Sequence, residues 1–252
     1  MIRTIDHGAV RELQLNRPPA NALSSELIVA LKQAVESAPQ DGARALVLSG
    51  SPGRFSAGLD VPLLLTLDRP EISAMWRELY ELLRALAVSP IPIAAAITGH
   101  ATAGGTVLPI FCDYRIAAEG DWKLGLNEVQ VGLALPPVIF VGLRRLVGAN
   151  QAQRLAVGGL LISPNEAARI GLVDEVVPMD DVVPRAIEWS RSLLTLPVDA
   201  MAATRRRARA DLIELFSGSF DSELELVIAN WWDPEAQTTL RVLVDRLVRK
   251  KA

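Results

Sequence analysis

Cysteine and histidine are nearly absent from this sequence: Cys112 stands alone, and the two histidines, His7 and His100, are far apart in the chain. A single cysteine excludes an intramolecular disulfide framework and suits a reducing compartment. With no HExxH or CxxC spacing, neither a structural nor a catalytic zinc site is expected. Strong charge of either sign is missing as well. A formal net charge of −3 over 252 residues gives no bulk electrostatic reason to expect nucleic acid or an anionic membrane as the main partner. The GxGxxG and GxxxxGK[ST] loops and the GxSxG elbow are also absent, which removes support for nucleotide binding and for serine hydrolysis of that type. The N-terminus MIRTIDHGAVRELQLNRP alternates apolar and polar residues and resembles neither a signal peptide nor a transit peptide, so a cytoplasmic protein is expected.

What is present is apolar and patterned. Half of the residues are hydrophobic, enough for a substantial core. Ile91 to Cys112 carries no formal charge and is long enough to cross a bilayer, but Pro92, Gly99, Gly104, Gly105 and Pro109 interrupt it. It reads as a buried strand, a glycine turn and a buried helix, with no membrane span. Strand-like runs at Val10 to Leu15, Ala45 to Leu48, Ile91 to Ile97 and Tyr114 to Ala117 alternate with helical periodicity, which predicts an α/β core. A first helix is predicted over Ser24 to Ser37, with Leu27, Ala30, Leu31, Ala34 and Val35 on one face. Asn150 to Gln153 and Ser163 to Glu166 read as capping boxes. Beyond about Pro184 strand signals fade, and helices are predicted at Val182 to Leu194, Pro197 to Ala210 and Phe220 to Arg249, the last broken near Asp233-Pro234. The chain therefore divides into a body over 1–183 and a helical part over 184–252.

Two stretches, Gly50 to Asp60 and Gly99 to Gly105, repeat one device: a strand, a glycine turn and a helix start. Such turns leave backbone N–H groups unpaired beside the positive end of a helix, where an anion can sit. A third stretch, LGLNEVQVGLALP from Leu124, sets the lone carboxylate of Glu128 among small and aliphatic residues. A buried carboxylate is costly unless paired, protonated or put to use.

RPPANAL (from Arg17), PGRFSAGLD (Pro52), GHATAGG (Gly99), CDYRIAAEG (Cys112), LGLNEVQVGL (Leu124) and GLVDEVVP (Gly171) occur in this order. Together they resemble the crotonase, or enoyl-CoA hydratase/isomerase, superfamily, from about Ile2 to Pro178. The resemblance implies a crotonase-type ββα-superhelix with a helical C-terminal trimerisation part, and an acyl-CoA thioester as substrate. It implies an oxyanion hole made by the backbone N–H groups of Leu59 and Gly104. Ser56, Ala57, Gly58 and Asp60 would cradle the coenzyme A, with Asp60 also reading as a helix-start cap, and Asn127 would touch substrate beside the base. No separate cofactor is implied, because coenzyme A arrives with the substrate. A homotrimer or a dimer of trimers is implied.

Hydratases of this family resemble one another in supplying two glutamates, one of them three residues after the second glycine turn. That position here is Val107; the other glutamate matches Glu128. FSAGLD, CDYRI and GLNE look like the mitochondrial-type Δ3,Δ2-enoyl-CoA isomerases, in which the glutamate of GLNE is the base, and Leu126, Val129 and Leu133 would desolvate it. The implied activity is a shift of the 3-enoyl-CoA double bond to 2-trans-enoyl-CoA in fatty-acid β-oxidation. Open alternatives are hydratase, hydrolase or lyase chemistry on an acyl-CoA, and non-catalytic acyl-CoA or RNA binding. The Arg205-Arg206-Arg207-Ala208-Arg209 run reads as a solvated helix face. His100 reads as a turn residue, Cys112 as a small buried hydrophobe, and Trp231 with Trp232 as an apolar patch that either joins the core or meets a second subunit.

Overall fold

The computed structural model describes residues 1–249. Strands and helices alternate through most of the chain: β1 (Ile2–His7), β2 (Val10–Leu15), α1 (Ser25–Ser37), β3 (Ala45–Ser49), β4 (Gly53–Ser56), α2 (Val61–Leu64), α3 (Arg69–Val88), β5 (Ile93–Ile97), β6 (Gly99–Thr102), α4 (Gly104–Ile110), β7 (Tyr114–Ala118) and β8 (Leu124–Gly125). A 3-10 turn at Glu128–Val131 follows, then α5 (Pro137–Gly158), α6 (Pro164–Arg169), β9 (Glu175–Val177), α7 (Val182–Leu194), α8 (Val198–Ala208), α9 (Ala210–Glu214), α10 (Asp221–Trp231) and α11 (Pro234–Arg249).

A six-stranded sheet runs β1-β2-β3-β5-β7-β9, with β1 antiparallel to β2 and the remaining pairs parallel. β4, β6 and β8 form a second, three-stranded parallel sheet. Successive turns of chain thus place one strand in the large sheet, one in the small sheet, and then a helical segment, which is a ββα-superhelix. The strands read from apolar runs all lie in the large sheet. Those of the small sheet are at most four residues long, β4 and β6 within the glycine turns and β8 at the start of the stretch that carries Glu128, where apolar alternation has no room to show.

The large sheet is covered on both faces, as parallel sheets are. Leu46 and Leu48 of β3 point into the main core, while Ala45 and Val47 meet Val182, Ala186 and Ile187 of α7 on the other face. Covering of the sheet therefore continues past residue 183, and the helical part is not separable from the body there.

Helix ends follow local chemistry. Ser24 caps α1 by accepting from the Leu27 N–H. Ser163 accepts from the Glu166 N–H, but the Glu166 carboxylate turns to Arg169 and Arg154, so the box predicted there is only half made. The box predicted at Asn150 is not formed among the described residues: Asn150 lies inside α5, whose axis is broken at Gly148. A full capping box that the sequence reading passed over joins Asp68 and Glu71.

The arginine run is not a solvated face. Arg206 and Arg207 are exposed, but Arg205 and Arg209 both pair with Asp113. The Arg209 guanidinium also donates to the carbonyls of Leu86, Ala87, Phe111 and Cys112, where α3 and α4 end. A fixed fork of donors thus satisfies two helix C-termini at once. Trp231 is wholly buried within its own chain, and Trp232 is half-buried against the same core. No described helix is long and apolar enough to cross a membrane.

Candidate active site

The first glycine turn follows β4. The Ser56 hydroxyl donates to the Asn21 carbonyl and accepts from the Gly58 N–H, while Gly58 takes a left-handed φ of 83°. The chain is then clamped against Leu23: the Leu23 N–H donates to the Gly58 carbonyl and the Asp60 N–H to the Leu23 carbonyl. Leu59 lies between these two bonds, and its own N–H has no acceptor among the described residues. The second turn follows β6. Ala103 is held at φ 49°, a strained conformation for a residue with a Cβ. Its N–H donates to the Gly125 carbonyl, and the Gly104 N–H, first of α4, is left without an acceptor.

Leu59 and Gly104 line one cavity of about 680 Å³, and Glu128 and Asn127 line it too. The 3-10 turn positions Glu128, with the Leu133 N–H returning to the Glu128 carbonyl. Glu128 Oε2 and Asn127 Oδ1 are buried with no hydrogen-bond partner. Burial pushes the Glu128 carboxyl up to about 7, opposed only by its own backbone N–H. A group poised there is a base at neutral pH and can return the proton it takes.

The surroundings that desolvate it differ in part from the sequence reading. Leu133 lines the cavity; Leu126 is buried but away from the cavity wall, and Val129 is 41% exposed. A 3-10 turn rotates successive side chains by about a third of a circle, so Val129 faces outward when Glu128 faces in. Val107, Val131 and Ile139 complete the apolar wall, with Val107 only 2% exposed.

Of the other residues read as substrate contacts, Ala57 and Asp60 are on the wall. Ser56 and Gly58 are not: the Ser56 side chain is fully buried in the turn, so it shapes the loop and is not placed to touch a ligand. Asp60 caps α2 through the Leu63 N–H and pairs with Arg17. His100 lies off the cavity, its Nδ1 accepting from the Lys123 N–H and its ring edge-on to Trp122. Cys112 is buried in the core. Among the described residues no group of three or more His, Cys, Asp or Glu side chains could hold a metal.

The sequence reading missed much of the far wall. Leu79 of α3, Val227 and Asn230 of α10, and Leu243 and Leu247 of α11 close the cavity. Only the amphipathic patterns of those helices hinted that they cover something. Arg17 and Arg54 stand on the wall beside the first turn.

Residues 6–226 match the family described as enoyl-CoA hydratase/isomerase. The chain is 30% identical over 250 residues to human mitochondrial enoyl-CoA delta isomerase 1, covering 98% of this chain and 83% of that protein. It is 36% identical over 194 residues to a probable enoyl-CoA hydratase of Mycobacterium avium, covering 77% of this chain and 75% of that one. Among solved structures, human mitochondrial delta3-delta2-enoyl-CoA isomerase superposes with a TM-score of 0.94 at 29% identity, covering 100% of this chain and 99% of that one. An enoyl-CoA hydratase/isomerase from Mycobacterium paratuberculosis superposes with a TM-score of 0.87 at 29% identity, over 95% and 97% of the two chains.

Proposed function

The chain belongs to the enoyl-CoA hydratase/isomerase family, and we propose that within it the protein is an isomerase that converts a 3-enoyl-CoA to the conjugated 2-trans-enoyl-CoA, serving fatty-acid β-oxidation. One observation carries this reading: among the described residues the cavity wall carries one unpaired carboxylate, Glu128, together with two free backbone N–H groups, and the aliphatic Val107 stands at the position that resembles the second acid of the hydratases.

In the proposed reaction the thioester oxygen accepts from the Leu59 and Gly104 N–H groups. Glu128 removes a proton from C2, and the electron pair moves onto the thioester oxygen, giving a dienolate whose charge the two donors stabilise. The donors act on charge that develops only as the proton leaves, so they favour the transition state over the bound substrate. The protonated Glu128 then delivers the same proton to C4, the C3–C4 double bond becomes C2–C3, and the carboxylate is restored. A dry wall keeps the carboxyl near neutrality in pKa, so both halves of the transfer are close to balanced.

Coenzyme A enters and leaves as part of the substrate, with no separate cofactor in this scheme. Arg17, Arg54 and the Ala57-to-Asp60 segment are the groups that would meet it. The human isomerase relative favours this reading over hydration; the hydratase relative keeps the comparison necessary. Incubation of short, medium and long 3-enoyl-CoAs, followed by ultraviolet absorbance of the conjugated product, tests it, with hydration of 2-enoyl-CoA run alongside. Absence of isomerisation at every chain length would sink the proposal.

A further inference from the structure

The base of the proposed reaction sits on a 3-10 turn that its own backbone bonds and a bond from Gln130 Nε2 to the Gly159 carbonyl hold on one side, and the C-terminal helices add a second support where the chain leaves the turn. The Ala134 N–H donates to Asn230 Oδ1 at 2.7 Å, and Asn230 Nδ2 donates to the Gly132 carbonyl at 3.4 Å. Between these two anchored residues the Leu133 N–H donates to the Glu128 carbonyl at 3.1 Å, and the Gly132 N–H donates to the Val129 carbonyl. Gly132 also packs directly under α11, where a Cβ on it would lie 3.0 Å from the Ala236 Cα. Asn230 itself is on the cavity wall, as are Val227 and Glu128.

We propose that Asn230 is a positioning residue: from α10 it latches the Gly132–Ala134 loop, and through that loop it seats Glu128 against a closed apolar roof. The proposal rests on Glu128 being the base. α10 is a firm support for the latch, because Glu223 accepts from the Tyr80 hydroxyl and Asp221 pairs with Arg77, both on α3. α11, packed against α10, brings Leu243 and Leu247 to the cavity wall. Release of the latch frees the loop and opens the rim between α10 and the 3-10 turn to water.

The electrostatic surroundings make the consequence readable. Besides Glu128, the charged residues on the cavity wall among the described residues are Arg17, Arg54 and Asp60, and Arg17 is paired with Asp60. From α10, Asp221 and Glu225 are exposed and Glu223 is engaged by Tyr80; from α11, Glu235, Arg241, Asp245, Arg246 and Arg249 are exposed; from α5, Arg144 and Arg145 are exposed. Glu128 is raised by burial, with no charged side chain contributing. Water reaching it therefore moves its titration down, toward the ordinary glutamate range.

The test uses the full chain with carbon-13-labelled glutamate carboxyls, the Glu128 signal being assigned by its loss in Glu128→Gln. In Asn230→Ala the Glu128 midpoint is expected to fall by at least about half a pH unit. On a 3-enoyl-CoA, kcat is expected to fall about tenfold or more, with KM kept within about threefold. Asn230→Asp keeps an acceptor for the Ala134 N–H, and its kcat, measured well above the acid limb, is expected within about threefold of wild type. Should Asn230→Ala fail to fold, Asn230→Ser carries the same two readouts. An unmoved midpoint, an unchanged kcat, or an Asn230→Asp variant as impaired as Asn230→Ala would overturn the latch. The titration needs no turnover, so a wild type that does not isomerise would sink the proposed reaction and leave the latch still decided by the midpoint.

Discussion

The Gly58 and Gly104 backbones touch: a Cβ built on Gly58 would stand 2.9 Å from the Gly104 nitrogen, and one on Gly104 would stand 3.2 Å from the Gly58 Cα. These residues are far apart in sequence, on the turns that follow the first two strands of the small sheet. Their contact is what brings the Leu59 and Gly104 N–H groups to one place on the cavity wall. Neither turn is a site by itself; the parallel pairing of β4 with β6 makes them one.

That contact predicts the effect of adding a single methyl group. Gly58→Ala introduces both a clash with the second turn and a left-handed φ that alanine disfavours. Displacing one donor of an oxyanion-binding pair costs about 10²–10³ in kcat, and the same loss is expected here, with acyl-CoA still bound. Steady-state kinetics with a 3-enoyl-CoA measures it. A variant with normal kcat would mean that these donors do not serve the reaction.

The acid limb of the rate profile reads the base. With its pKa raised to about 7 by burial, Glu128 is deprotonated, and so competent, only as the pH rises through that region. kcat/KM is therefore expected to climb with pH and level off above about 8, and Glu128→Gln to lose several orders of magnitude at every pH. A limb centred near 4.5, the ordinary glutamate value, would show that the base is solvated when substrate binds.

Much of this was legible because the residues that make the two turns and the base are contiguous: SAGLD, TAGG and LNEV each carry their own local geometry. Four large-sheet strands, β2, β3, β5 and β7, were legible for the same reason, as short apolar or alternating runs, whereas β1 and the three-residue β9 at the two edges of the sheet were not read as strands. What could not be read was assembled at a distance. Asn230 meets a loop that lies 96 residues earlier in the chain, and nothing in the sequence around either partner marks the pairing. Arg209 misled for a related cause: a run of arginines looks like a wet surface until the helix carrying it docks against two carbonyl ends. Val129 misled because the turn bearing Glu128 is a 3-10 turn, so the neighbouring apolar residue faces the other way.

Two arginines in the same run are expected to behave differently. Arg209→Ala removes a buried cation and leaves Asp113 and several helix-terminal carbonyls short of partners, a loss of about 3–5 kcal/mol. Arg206→Ala, on the exposed side, is expected to change stability by less than about 0.5 kcal/mol. Urea unfolding of the two variants checks the contrast. Similar midpoints would return the run to the surface.

Val107 offers a test of why the proposed chemistry stops at isomerisation. Val107→Glu places a second carboxylate on the cavity wall, in the position that resembles a hydratase acid. Hydration of 2-enoyl-CoA is expected to rise above the wild-type level while isomerisation falls, because two carboxylates in one dry site compete for a proton and Glu128 becomes harder to ionise. Stability is expected to drop, since the position is buried. A folded variant with no gain in hydration would mean that more than the missing acid separates the two reactions.

The last prediction concerns the cost of keeping a base dry. Glu128 has a folded pKa near 7 against 4.5 for an ordinary glutamate, so between those values the folded chain binds more protons than the unfolded one. Stability must then fall as the pH rises through this window, the opposite of a carboxylate held by an ion pair. The full effect is at most about 3 kcal/mol, from the usual conversion of a pKa difference to free energy. Glu128→Gln removes the ionisation while keeping the shape, so it is expected to gain stability over wild type at pH 8 and little or none at pH 4. Thermal unfolding of both proteins at the two pH values measures the difference. A gain that does not grow with pH would show that the carboxylate finds a partner or water when it ionises; a gain that does grow would show a site held ready for the proton of C2 at the expense of the fold.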